Sequence, residues 1–240
     1  MLLQSAFTQR IIFALLAQTW PIIYSTFFTY KLLKRAKNRA TYTLSCFFVL
    51  FALTDILANF SILFIPTSLS YFFYMLAMYI FFFDHCFFII FSWVLVKLEQ
   101  KIPQWKFSLI IIVYGFISTY VFWIGFYFNG IKYDATTGWI PNYSWFFVVF
   151  SWTFLVTFLI VPQIYFSFKL LKTYEGDNLK RRITMYVIST FFQLGVVFAF
   201  FLYHFLFENQ IYRTTYMVTA LIISTSAAFL IYKSFVKELD

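Results

Sequence analysis

Five side chains with acid–base or hydrogen-bonding chemistry lie inside long apolar runs: Asp55, Asn59, Asp84, His85 and Gln193. Asp84 and His85 interrupt YIFFFDHCFFIIF, and Asp55 and Asn59 interrupt LSCFFVLFALTDILANF. Paired carboxylates beside an imidazole can hold a proton, bind a cation or tie two helices together. Asn59 follows Asp55 by one helical turn and shares its face. Asp84 and His85 are neighbours, so on a helix they point about 100° apart and do not aim equally at one place.

The surroundings of these groups decide how much they matter. The chain has 240 residues, 62% hydrophobic, 26% aromatic and 11% charged. Soluble domains carry roughly 25% charged residues, so this composition cannot cover a surface in water. Its medium is the lipid bilayer. A hydrocarbon core of about 30 Å needs roughly 20 apolar residues per crossing. Seven such spans are expected, at about 11–34, 41–66, 71–98, 106–128, 144–172, 182–207 and 214–234. Helices are required because lipid satisfies no backbone polar group, and no alternating barrel pattern occurs.

Charge sets the direction. Fifteen of the 18 Lys and Arg fall in connections on one side, including Arg35, Lys180, Arg181 and Arg182; only Arg10, Lys132 and Arg213 fall on the other. The positive-inside rule then predicts an outer amino terminus and a cytoplasmic carboxyl terminus. The net charge of +9 is thereby a topology signal, and no nucleic-acid partner is expected. The expectation is an all-α polytopic protein of the plasma or cell membrane, one seven-transmembrane helix bundle over 1–240. Few residues follow the last span, so no soluble output domain is expected within the sequence.

Depth follows from helical rise. Asp55 lies about 21 Å along span two from the cytoplasmic face, and Asp84 about 20 Å along span three from the outer face. Both are expected near the midplane, where a charge costs at least about 2.5–3.5 kcal/mol and turns inward to find partners. Two readings stay open: a structural polar knot, or a site for a ligand, ion or proton to which Gln193 also contributes. His204 and Glu208 are expected at the water interface. Trp139, Tyr143 and Trp145, in the 128–145 connection, suit an interfacial aromatic belt. The connection itself is expected to be either a lid over a cavity opening outward or an anchored loop with no ligand. Pro21 and Pro162 are hinge candidates, each removing a backbone donor within a span. The basic cluster at Arg35 and Lys180 to Arg182 is a candidate docking surface for a cytoplasmic signalling protein.

Other chemistry is weakened by what is missing. Two cysteines inside apolar runs and two histidines far apart in depth suggest no disulfide and no metal centre. No phosphate-cradling loop or serine elbow occurs, so neither cofactor nor enzyme activity is expected. Size and topology resemble the microbial rhodopsins, but span seven lacks a mid-depth lysine for retinal.

Three resemblances bear on function. Leu44 to Phe60 resembles the second helix of rhodopsin-like G-protein-coupled receptors, which implies an ion-linked polar network around Asp55. Span three, however, ends in VLVKLEQK and span seven has AFLIY, unlike that family's motifs. The chain from span five onward is similar to seven-helix sensor domains of prokaryotic histidine kinases, implying a sensory module with a cytoplasmic partner. Pro21-Ile22-Ile23-Tyr24 and Pro162-Gln163-Ile164-Tyr165, each followed by KLLK, resemble the repeats of PQ-loop transporters, which implies proline hinges. The leading expectation is a receptor-like or sensory protein with a small-molecule ligand. A proton-coupled solute transporter and a structural subunit of a membrane complex are the alternatives.

Overall fold

Apolar stretches without internal Gly-Pro punctuation propagate as helices wherever the backbone must satisfy itself. The computed structural model, described here for residues 2–35, 38–97, 102–174 and 176–235, is built that way. Its helices are α1 (Leu2–Arg35), α2 (Arg39–Leu63), α3 (Ser68–Val96), α4 (Gln104–Ser118), α5 (Tyr120–Tyr127), α6 (Trp145–Leu155), α7 (Val161–Thr173), α8 (Asp177–Phe205) and α9 (Gln210–Phe235). Thr119 marks the junction of α4 and α5, which form one crossing, and α6 and α7 form another through a π-helical segment, Val156–Ile160. Six crossings among the described residues are long and apolar enough to traverse a bilayer: α2, α3, α4–α5, α6–α7, α8 and α9. This is a multi-pass, all-helical membrane protein.

Side-chain partition agrees with a lipid medium. Ile112, Phe116 and Tyr127 on α4–α5, and Phe168 on α7, are among many large apolar side chains left exposed. A stripe that wide would aggregate in water. At the centre stands α3, whose most apolar stretch is 67% buried within the protein, against 22–33% for the other five crossings. Phe82 of α3 is fully buried, with the rings of Phe154 of α6 at 4.9 Å and Phe201 of α8 at 5.8 Å. On the other flank, α1 packs along α2 and reaches α9, where Phe28 stacks on Tyr232 at 5.0 Å and Trp20 Nε1 donates to Thr225 Oγ1 at 2.9 Å.

Helix starts follow local chemistry. Asn38 caps α2 by accepting from the Thr41 amide, and Ser144 caps α6 by accepting from Phe147. The basic connection expected over 169–182 is shorter than the charge pattern implies. Helix α8 begins at Asp177, not near 182, so Lys180, Arg181 and Arg182 lie on its first turns. Lys and Arg are good helix formers, and Asp177 suits a helix amino terminus. Gly176, at φ 101°, makes the turn that few other residues adopt.

The proline in α7 shows how a broken ladder is repaired. Pro162 cannot donate to the carbonyl four residues earlier, that of Phe158, and its ring crowds it. The helix widens over Val156–Ile160, and the Tyr114 hydroxyl of α4 donates to the Phe158 carbonyl instead. Tyr114→Phe is therefore expected to cost about 1–3 kcal/mol of stability. In a Pro162→Ala background, where the amide is restored, the same change is expected to be nearly neutral. Thermal unfolding of the four proteins in nanodiscs, treated as a double-mutant cycle, checks this.

Candidate functional site

A cavity of about 810 Å³ opens between α1, α2, α3, α8 and α9, under the 128–144 connection. Helix directions place its lining in one half of the bundle. On α2 it runs from Phe51 to Ile62, on α3 from Tyr74 to Phe81, on α8 from Gln193 to His204, and on α9 from Gln210 to Ser224. All of these segments lie towards the end that carries the connection, called here the loop end. Phe51, Asp55, Phe81, Gln193 and Ser224 are the deepest contributors. Pro21, at the bend expected in α1, faces the same space together with Gln18 and Tyr24.

The polar floor is short of donors. Asp55 Oδ2, Gln18 Oε1 and Gln193 Oε1 are buried and accept no hydrogen bond. Three lining residues with an unpaired acceptor oppose the usual rule that buried polar atoms are paired, at about 1–3 kcal/mol each. Asn59 Oδ1 is likewise unpartnered, but Asn59 does not line the cavity. Of the residues expected to form a site, the structure therefore brings Asp55 and Gln193 together.

Asp84 and His85 lie one turn beyond Phe81, beneath the floor. Both are buried, with Asp84 near enough to Asp55 for their charges to interact. Adjacent helical residues diverge, yet this pair meets. The imidazole folds back along α3 until Nδ1 is 2.6 Å from the Phe81 carbonyl oxygen and 2.5 Å from Asp84 Oδ1. A carbonyl only accepts, so Nδ1 carries the proton. That N–H is aligned with Phe81; the Asp84 contact is electrostatic, and neither carboxyl oxygen has a well-aligned donor. The edges of Phe81 and Phe47 flank the ring.

The mouth contains residues expected near the water interface. His204 is buried rather than wet. Its Nδ1 lies 3.1 Å from the Pro141 carbonyl oxygen, and Tyr143, Phe200 and Tyr203 surround the ring at 4.6–4.8 Å. Tyr143 is also buried, not part of an exposed belt. Its hydroxyl bonds that of Tyr74 on α3, and burial pushes its phenol up in pKa, so it stays neutral. The connection is a folded piece: strands Ile131–Lys132 (β1) and Asn142–Tyr143 (β2) pair antiparallel around a 3₁₀ turn at Ala135–Thr137. The Thr136 hydroxyl donates to Asp134, holding that carboxyl below its ordinary range. This cap persists from neutral pH down and is lost only when pH falls through that lowered value. Trp139, which lines the mouth, has φ 57°. A non-glycine residue there carries strain of about 1–2 kcal/mol, and its amide is held by the Asp134 carbonyl at 2.8 Å. Arg213 donates to the Phe207 carbonyl and the Tyr203 hydroxyl while stacking on the Tyr203 ring.

A second polar cluster ties the opposite half. Ser92 of α3, Gln163 of α7 and Tyr186 of α8 are all fully buried; Ser92 Oγ lies 2.9 Å from Gln163 Oε1 and 2.6 Å from the Tyr186 hydroxyl. Gln163 after Pro162 was the visible signal for it. Lys180 and Arg181 are exposed at that end and Arg182 is half-buried, whereas the Arg35 side chain lies outside the described residues. Compared with family models, curated proteins and solved structures, the chain matches none.

The Tyr74–Tyr143 bond is the clamp that fixes the connection over the mouth. Tyr143→Phe is expected to strand the Tyr74 hydroxyl, costing about 1–3 kcal/mol. Amide hydrogen exchange is the appropriate check: the 131–144 amides exchange faster in the variant, while those of mid-α3 keep their protection.

Proposed function

We propose that the protein is a receptor-like or sensory integral membrane protein with seven crossings, its amino terminus outside and its carboxyl terminus in the cytoplasm. Helix α1 supplies the seventh crossing; its 34 residues span about 51 Å at helical rise, ample for a bilayer. The observation that carries the reading is the cavity, which opens at the loop end and stops at mid-depth on Asp55 and Gln193. A small molecule arriving from the outer face of the cell membrane settles there and alters how α1, α2, α3, α8 and α9 pack. Helix α3 passes the change on, because it runs from the cavity past Asp84 and His85 to Ser92, where it joins α7 and α8. The exposed basic residues Lys180 and Arg181 then present the change to a cytoplasmic signalling protein.

The π-helical turn before Pro162 and the proline within α1, Pro21, favour one rival, a proton-coupled transporter that opens alternately to both sides. Thiol chemistry separates the two. Thr54 lines the cavity, Cys46 is exposed and Cys86 is buried. In a Thr54→Cys, Cys46→Ala protein in sealed vesicles, a membrane-impermeant thiol reagent is expected to react from the loop side alone. Reaction from both sides would establish the transporter, and no reaction from either side would leave only a structural subunit.

A further inference from the structure

We propose that the cavity binds an organic ammonium ion with an aromatic or aliphatic body; this rests on the cavity being the ligand site of a receptor. The floor offers acceptors without donors. Asp55 Oδ2, Gln18 Oε1 and Gln193 Oε1 belong to lining residues of α2, α1 and α8, and each is buried and unpartnered. An ammonium group brings the opposite charge to Asp55, and its remaining N–H donors suit neighbouring amide oxygens. A carboxylate or phosphate would instead face a carboxylate and two amide oxygens.

No cation of the protein already does this among the described lining residues. Arg213 lies eleven positions from Ser224 along α9, about 16 Å by helical rise, and Ser224 and Asp55 both neighbour Tyr24. The Arg213 guanidinium is engaged with Phe207 and Tyr203 at the mouth. The walls above the floor are aromatic, with Tyr24, Phe51 and Phe81 at its level. Such faces attract a cation and bury an apolar body. About 810 Å³ suits a drug-sized molecule.

The test uses the full chain in nanodiscs with three probes of closely similar shape: 2-phenylethylammonium, 2-phenylethanol and 3-phenylpropanoate. Saturable binding is read by ligand-observed NMR. The ammonium is expected to bind about tenfold or more tightly than the alcohol, with the carboxylate weakest. Asp55→Asn brings ammonium and alcohol to parity, and Ala58→Phe, which fills the cavity, abolishes binding of all probes. Gln193→Leu, expected to weaken the ammonium severalfold, carries the test if Asp55→Asn does not fold. Equal binding of ammonium and alcohol in the native chain overturns the proposal; loss of that binding in Ala58→Phe then shows that the cavity reading survives it. Absence of saturable binding by any probe, or binding indifferent to Ala58→Phe, overturns both.

Discussion

Hydrocarbon offers no hydrogen bonds, and every other feature of this protein follows from that. Backbone groups must pair within helices, and side chains with unmet donors or acceptors must turn towards other helices. Helix α3 carries several of them. It is the most buried crossing and carries Tyr74, Asp84, His85 and Ser92 within its interior-facing positions. Neighbouring helices then arrange themselves by what α3 presents: Tyr143 near its loop end, Gln163 and Tyr186 near its basic end.

Where the rule is obeyed, the structure is knitted. Pro162 frees the Phe158 carbonyl, and Tyr114 crosses from the next helix to meet it. Arg213, the one basic residue of α9 towards the loop end, finds a carbonyl, a hydroxyl and a ring, although its Nε is left unpaired. Around Asp55 the rule is suspended. The acceptors gathered there have room beside them and nothing donating to them. The two polar clusters thus differ: the one at Ser92–Gln163–Tyr186 is satisfied and holds helices together, and the one around Asp55 is unsatisfied.

Six of the seven expected crossings were legible because apolar length is a one-dimensional quantity. Asp84 and His85 were correctly placed as interior, but their mutual contact was not visible. The divergence of adjacent side chains ignores an imidazole that bends back to the carbonyl at Phe81. His204 and Tyr143 were misplaced at the interface for a related reason. Nearness to a helix end says nothing of a connection that folds over that end, and the β1–β2 ribbon does so. The early start of α8 is not legible from charge, because Lys and Arg extend helices as readily as they mark connections.

The central claim is that lipid surrounds the aromatic exterior while the Asp55 side of α2 faces a water-filled space. Nitroxide labels placed singly at Ile112 and Phe116, both about two-thirds exposed, and at Ala58 and Ala220, which line the cavity, report this directly through paramagnetic relaxation. The account predicts that dissolved oxygen relaxes the labels at 112 and 116 while a polar nickel chelate does not, and that the chelate reaches 58 and 220. Labels at 58 and 220 that respond as lipid-facing positions, or chelate contact at 112 and 116, would contradict it.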